Sequence, residues 1–156
     1  MKKGYLEPLV LVGALAILST LVVLEGRRRV DLERQLPVEP RDVYRTLARS
    51  GTAWQVLDVR KDIAEGYEDA HIPGAIPVPA CDVEQAPAAA RERVLLSVPT
   101  IIVSGSGDEP DLGTCVARFA SARRMAGGMA AWSAARLPED SSSYSPPSAK
   151  AGGGCL

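Results

Sequence analysis

Histidine is nearly absent from this chain. Its 156 residues include one, His71. A metal site built from several histidines is therefore excluded, and a serine-type catalytic triad is excluded unless His71 is its base. His71 lies in a turn near two prolines, where a histidine more often fills space or caps than catalyses. We therefore interpret it as a structural residue.

The chain has few cysteines, and their spacing contains no recognisable pair. The three are Cys81, Cys115 and Cys155, an odd number with no CxxC pair. This pattern argues against a disulfide framework and against a zinc site, so we expect no metal and no cofactor. Cys81 and Cys115 are interpreted as small, semi-buried hydrophobic residues, and Cys155 as an exposed thiol in the tail.

A strong charge of either sign is also missing. The formal net charge is -1 at pH 7. Proteins that bind nucleic acid usually carry a basic patch or a basic excess. We therefore expect no nucleic acid among the partners.

An uncharged run covers residues 8–24, which as a helix would be roughly 25 Å long, near the short end of a bilayer span. A cleaved signal peptide would need small residues after the run, but EGRRR follows at 25–29. The pattern therefore favours an uncleaved, single-pass anchor in the cell membrane, with residues 8–24 in contact with lipid. The side of the membrane stays open, because Lys2 and Lys3 nearly balance the arginines at 27–29.

The sequence predicts four segments. Residues 1–29 form the anchor with its basic flanks, and residues 30–39 form a polar, helical stalk beside the membrane. The folded domain covers residues 40–138. Residues 139–156 are rich in Ser, Pro and Gly, and we expect them to be disordered because they hold little apolar surface to bury.

Strand and helix patterns alternate within residues 40–138. Apolar, β-branched runs predict strands, and longer amphipathic or alanine-rich runs predict helices. Asp111 is placed near the N-cap of its helix. Strands separated by such helices imply a parallel sheet covered on both faces, an α/β fold. The predicted order is helix 42–50, strand 54–59, edge strand 75–78, helix 83–96 with an early break at Pro87, buried strand 100–103, helix 111–122, strand 124–126 and helix 128–135.

Three motifs in this region resemble the rhodanese family. They are LDVR at 57–60, HIPGA at 71–75 following Tyr67, and GGMAAW at 127–132 followed by LP at 137–138. The resemblance covers about residues 40–138. It implies the rhodanese fold, in which a loop cysteine attacks sulfane sulfur and carries it as a persulfide. Two glycines of the family pattern are replaced here, by Ala70 and Arg136.

The loop after the strand 100–103 departs most from the family. It should resemble C-x-x-G-x-R, but it contains no cysteine and no arginine. Aligning its glycine on Gly107 puts Ser104 at the cysteine position and Glu109 at the arginine position, and a shift of one residue gives Gly105 and Pro110. An alcohol lacks the nucleophilicity of a thiolate unless a base activates it. The degenerate loop reads Ser104, Gly105, Ser106, Gly107, Asp108, Glu109 and Pro110.

The loop has also become acidic. We expect Asp108 and Glu109 to line the rim of the family's anion site, where two carboxylates would oppose an anion by roughly a kcal/mol or more. A third hypothesis, in which the domain binds a small anion as a sensor, is weakened by these two carboxylates. Pro110 either removes one N–H donor from the loop or simply starts the next helix.

The sequence favours a membrane-anchored, catalytically inactive rhodanese-like domain. It would act as a binding, regulatory or structural subunit of a membrane protein partner. The alternative is a sulfurtransferase or sulfur carrier that uses Cys81, or Cys155 beyond the three glycines at 152–154. We also expect Trp132 to pack against the sheet.

Overall fold

The computed structural model describes residues 12, 14–26, 36–49, 54–109 and 111–146. The chain forms two units, Met1–Arg34 and Gln35–Leu156. In the first unit, residues 14–26 are helical and exposed. Among the described residues, no helix is long and apolar enough to cross a membrane. The predicted anchor at 8–24 starts in residues outside the described set, as does most of the predicted stalk.

A four-stranded parallel sheet forms the centre of the second unit, as predicted. The strand order is β2-β1-β3-β4. At one end of the sheet, Asp58 pairs with both Pro77 and Val103. The edge strand holds a proline, which cannot donate to a ladder. The bounds are β1 Gln55–Asp58, β2 Ile76–Pro77, β3 Thr100–Val103 and β4 Ala122–Arg124.

Four helices cover the sheet. Helices α1 and α4 contribute to one apolar cluster, and α2 and α3 contribute to the other. Short helical turns at Ile63–Tyr67, Pro79–Cys81 and Val83–Gln85 complete the connections. The bounds are α1 Pro40–Arg49, α2 Ala88–Arg91, α3 Leu112–Ala117 and α4 Gly128–Ala134.

The two central strands are buried on both faces. Leu57 and Ile102 belong to one cluster, whereas Val56, Ile101 and Val103 belong to the other. This alternation follows from the period of two in a strand. It also explains why β3 is uncharged along its whole length, since neither face meets water. The predicted α/β fold with helices on both faces is confirmed.

Two predicted helices are shorter than expected. The helix predicted at 83–96 is interrupted at Pro87, as expected, because proline cannot continue a helix, but its second part, α2, ends at Arg91 rather than at residue 96. The helix predicted at 111–122 ends at Ala117, and the last strand begins at Ala122 rather than residue 124. Ala122 pairs with Thr100 at the start of β3, so the chain must leave the helix early to reach that register.

Ordered structure extends past both predicted domain boundaries. Val38, assigned to the stalk, donates its N–H to the Arg124 carbonyl at 2.9 Å. At the other end, His71 and Asp140 exchange backbone hydrogen bonds of 2.8 and 2.9 Å. Tyr144 packs against the core. The disorder expected from residue 139 for lack of apolar surface stays a prediction, and in the structure the backbone pair at Asp140 and the packing of Tyr144 supply contacts that the composition does not reveal. Residues 147–156 lie outside the described set.

Two buried rings behave as the sequence suggests. Trp132 is 1% exposed, and its Nε1 donates to the Pro138 carbonyl at 2.9 Å. The Tyr44 ring meets it edge-on, with centroids 6.3 Å apart. His71 is 2% exposed, stacks on Tyr67 at 3.8 Å, and its Nδ1 lies 2.7 Å from the Tyr67 carbonyl oxygen. These contacts of His71 are structural.

Candidate active-loop cavity

A cavity of about 230 Å³ opens where β1 and β3 end. In open parallel sheets, ligands bind beyond the carboxyl ends of the strands. Its wall combines residues that come after β1, residues that come after β2, the loop after β3 and the start of α3. The lining residues are Val59, Arg60, Lys61, Ala80, Cys81, Ser104, Gly105, Glu109, Asp111, Leu112 and Cys115.

Ser104 occupies the position where the resemblance implies the nucleophile. It is the first residue after β3 and is 3% exposed. Its Oγ accepts a hydrogen bond from the Gly107 N–H at 3.0 Å. The Ser104 carbonyl accepts from the Met129 N–H at 2.7 Å, and the Gly105 carbonyl accepts from the Ala130 N–H at 3.1 Å. These two hydrogen bonds attach the loop to the first turn of α4.

The glycines of the loop and of α4 make this close approach possible. Gly107 and Gly128 have φ values of +85° and +54°, in the left-handed region that favours glycine. A Cβ on Gly107 would lie 2.6 Å from the Gly127 nitrogen, and a Cβ on Gly128 would collide with the Ser104 carbonyl oxygen. The Gly-Gly motif at 127–128 is therefore a packing surface for the loop.

Glu109 turns back into the loop. Its Oε1 accepts from the Ser106 N–H at 3.0 Å and would lie 3.2 Å from a Cβ placed on Gly105. Burial raises the pKa of Glu109. Hydrogen bonds from the Ser104 hydroxyl and from loop N–H groups lower the pKa by more than burial raises it, so the pKa lies below its usual range. The loop's N–H groups therefore stabilise an anion that belongs to the protein itself.

The remaining loop positions contribute less than expected. Asp108 is exposed and does not line the cavity, so the carboxylates at the cavity are those of Glu109 and Asp111 rather than the predicted Asp108 and Glu109. Asp111 is the N-cap residue of α3, as predicted, although its side chain makes no capping hydrogen bond. Pro110 lies outside the described residues.

Arg60, one of the two basic residues that line the cavity, has its charge compensated by an ion pair. The Arg60 side chain donates from Nε and Nη2 to the Asp58 carboxylate, at 2.6 Å for the shortest contact, and from Nη2 to the Ala70 carbonyl at 2.6 Å. The Asp58 side chain is 1% exposed. Removing either partner of a buried ion pair leaves an unpaired charge and destabilises the fold. The Asp and Arg of the motif LDVR therefore have a structural role here, as an ion pair that clamps the end of β1.

Cys81 and Cys115 form a disulfide with their Cα atoms 5.7 Å apart. Both are buried, at 7% and 2% exposure, and both line the cavity. The expectation of no disulfide is therefore wrong, and Cys81 is not a free thiol. Their spacing of 34 residues carries no signal. The sheet order decides the pairing, because β2 and β3 both flank β1 and so bring the segments after these two strands together.

The family model of the rhodanese-like domain matches residues 39–135. The chain belongs to the rhodanese-like domain family. No curated protein matches it.

Solved structures share this fold. A Bacillus halodurans protein is 21% identical with a TM-score of 0.56, and the match covers 74% of this chain and 84% of that one. An Anabaena protein is 25% identical with a TM-score of 0.55, over 69% and 94% of the two chains. The thiosulfate sulfurtransferase of Pseudomonas aeruginosa is 24% identical with a TM-score of 0.54, over 70% of this chain and 20% of that one.

The cavity of this rhodanese-like domain offers no free thiol from the described residues. Its two cysteines are oxidised, and its loop begins with a serine. Across the described part of the chain, no cluster of three or more His, Cys, Asp or Glu side chains could hold a metal ion. Cys155 lies outside the described residues.

Proposed function

We propose that this rhodanese-like domain is catalytically inactive as a sulfurtransferase and works by binding a protein partner. One observation carries the proposal. The Glu109 carboxylate turns back into the loop and accepts a hydrogen bond from the Ser106 N–H at 3.0 Å, next to the position that the resemblance assigns to the nucleophile. An incoming sulfur oxyanion would have to displace this carboxylate or approach it closely, and both cost free energy.

The second candidate function is sulfur transfer by another cysteine. A persulfide requires a free thiolate, which Cys81 lacks while it is bonded to Cys115. Cys155 remains the thiol to test. Sulfur transfer by Cys155 would need the tail to reach a sulfur donor, whereas binding alone needs no thiol.

The activity test uses full-length oxidised protein with thiosulfate and cyanide. We expect no thiocyanate formation above the buffer rate. The matched comparison is between Cys155→Ser and the unchanged chain, because this substitution removes the tail thiol and leaves the described domain intact. Turnover that disappears in Cys155→Ser would establish the sulfur-carrier alternative. Turnover that persists in this variant would contradict the inactive assignment of the domain.

We further propose that residues 8–24 anchor the chain in a membrane and that the partner is a membrane protein. The support is the uncharged run in the sequence. The Cys81–Cys115 bond favours placing the domain on the oxidising side, because disulfides persist there and are rare in reducing compartments. This supports one side of the choice that the flanking charges leave open.

The membrane test has two parts. After alkaline carbonate washing, full-length protein should remain in the membrane pellet, whereas a variant with Leu11→Lys, Leu15→Glu and Leu18→Lys should be released, because charges at the centre of a span are costly. Protease added outside intact cells or inverted vesicles should then report the side of residues 54–146. Release of the unchanged chain, or recovery of a form that begins near residue 25, would overturn the anchor.

A further inference from the structure

We propose that the Cys81–Cys115 disulfide is a thiol-exchange site for a low-molecular-weight thiol with an apolar body, bound in the adjoining cavity. A bridge that served stability alone would need no access to a cavity. Here both cysteines line the cavity at the carboxyl end of the sheet. The inference does not depend on the proposed function, since a domain without sulfurtransferase activity can still exchange this bond.

The cavity sets the size and character of the thiol. Its volume of about 230 Å³ is smaller than the roughly 300–1,000 Å³ of typical drug-sized pockets, which excludes a folded protein as the group inserted. Val59, Ala80 and Leu112 form apolar wall beside the two sulfurs. A small thiol with an apolar body would bury that body against these side chains.

Charge contributes little to which thiols the cavity prefers. Lys61 and Arg60 line the cavity together with Glu109 and Asp111. Arg60 is already paired with the buried Asp58 carboxylate, so its charge is compensated. Because charges of both signs surround the entrance, we expect neutral thiols to be preferred over strongly anionic ones.

We assign the attacked sulfur from the exposure of the two residues. Cys81 is 7% exposed and comes after the edge strand, whereas Cys115 is 2% exposed and lies within α3. An entering thiolate should therefore attack Cys81 Sγ in line with the existing bond, with Cys115 as the leaving group.

The exchange takes two steps. The thiolate RS⁻ forms an S–S bond to Cys81 while the Cys81–Cys115 bond breaks, and Cys115 leaves as a thiolate that takes a proton from water. A second RS⁻ then attacks the sulfur of the bound R group, giving RSSR and the Cys81 thiolate, which is also protonated. The net reaction oxidises two RSH to RSSR and reduces the disulfide to two thiols by two electrons.

The backbone around Cys81 is built to survive the opening of the bond. Ala80 and Cys81 have φ values of +51° and +58°, which cost non-glycine residues free energy, and such strain clusters at functional sites. The turn is held by the Ala80 N–H bonded to the Val59 carbonyl at 3.1 Å. Arg118, directly after the helix that carries Cys115, donates to the Cys81 carbonyl at 2.7 Å. These bonds contain no sulfur, so they keep the two thiols adjacent after reduction.

The test uses the full chain with Cys155→Ser, so that only the Cys81–Cys115 pair can react. Benzyl mercaptan is compared with 2-mercaptoethanol, a small neutral thiol without the apolar body. Each rate is divided by that thiol's rate with a small-molecule disulfide, which removes intrinsic reactivity. Mixed disulfides are trapped by acid and located by peptide mass spectrometry.

We expect the first adduct on Cys81 and a normalised rate about tenfold higher for benzyl mercaptan, because burying its ring stabilises the encounter complex. The rate should not change in urea concentrations below the unfolding transition. A rate that appears only as the protein unfolds would make the bond purely structural and would overturn the proposal. Equal normalised rates, or a first adduct on Cys115, would likewise overturn the assigned site.

Discussion

A thiol introduced at position 104 should report the electrostatics of the loop. In Ser104→Cys, combined with Cys155→Ser, the new Sγ replaces an oxygen that accepts the Gly107 N–H at 3.0 Å. That donor lowers the thiol pKa, whereas the Glu109 carboxylate beside it raises the thiol pKa. Adding Glu109→Gln removes the opposing charge and keeps the shape of the side chain. We therefore expect a lower thiol pKa in the variant that also carries Glu109→Gln.

The size of this difference follows from Coulomb's law. Two unit charges about 4 Å apart interact by about 1 kcal/mol in water and about 4 kcal/mol near a protein surface, and each pKa unit corresponds to about 1.4 kcal/mol. Glu109 is half-buried. We therefore expect Glu109→Gln to lower the pKa of the introduced thiol by about 1–2 units.

The assay is the rate of iodoacetamide alkylation against pH without reductant, so that the Cys81–Cys115 pair stays unreactive. The matched control is Asp108→Asn in the Ser104→Cys background. It removes one carboxylate from the same loop, but an exposed one, so the thiol pKa should hardly move. Equal shifts from the two substitutions would mean a general charge effect. No shift from Glu109→Gln would refute the carboxylate's position in the loop.

Three further predictions concern stability. Trp132→Ala should lower the free energy of unfolding by about 3–5 kcal/mol, because it empties a buried site and leaves the Pro138 carbonyl without its donor; urea unfolding measures this loss, and an unchanged midpoint would contradict the packing. Arg136→Gly should raise the urea midpoint by a stabilisation of about 1 kcal/mol, because residue 136 has a φ of +54°, which glycine adopts without strain; a lower midpoint would show that the arginine side chain compensates. Because the folded state lowers the pKa of Glu109, its carboxylate stabilises the fold at pH values above the ordinary glutamate pKa. The unchanged chain should therefore have a higher free energy of unfolding than Glu109→Gln there, and this difference should vanish as the pH falls through the folded pKa. A difference in unfolding free energy that does not depend on pH would exclude the Glu109 charge as its cause.

The Glu109 carboxylate and the Cys81–Cys115 disulfide both affect the place where the family's chemistry is expected. Each occupies a place where the resemblance implies sulfur chemistry, the first at the anion cradle and the second at the cavity wall. The frame of the rhodanese fold is kept, including the Gly-Gly surface under the loop and the clamp between Arg60 and Asp58.

The sequence by itself determined the fold and the degenerate loop. β3 could be predicted because a four-residue run that is buried on both faces must be apolar. Trp132 and the glycines at 127–128 could be predicted because a buried ring and a close backbone approach leave few residue choices. The absence of a cysteine from residues 104–110 could be read directly, because it depends on residue identity alone.

Tertiary structure alone decided the rest. The Cys81–Cys115 bond depends on the order of β2, β1 and β3, which no local pattern encodes. The inward turn of Glu109 depends on N–H groups that become available only once the loop rests on α4. The backbone bridge at Asp140 depends on His71, which is distant in sequence. In each case the deciding contact joins segments far apart or orients one side chain, and composition and periodicity report on neither.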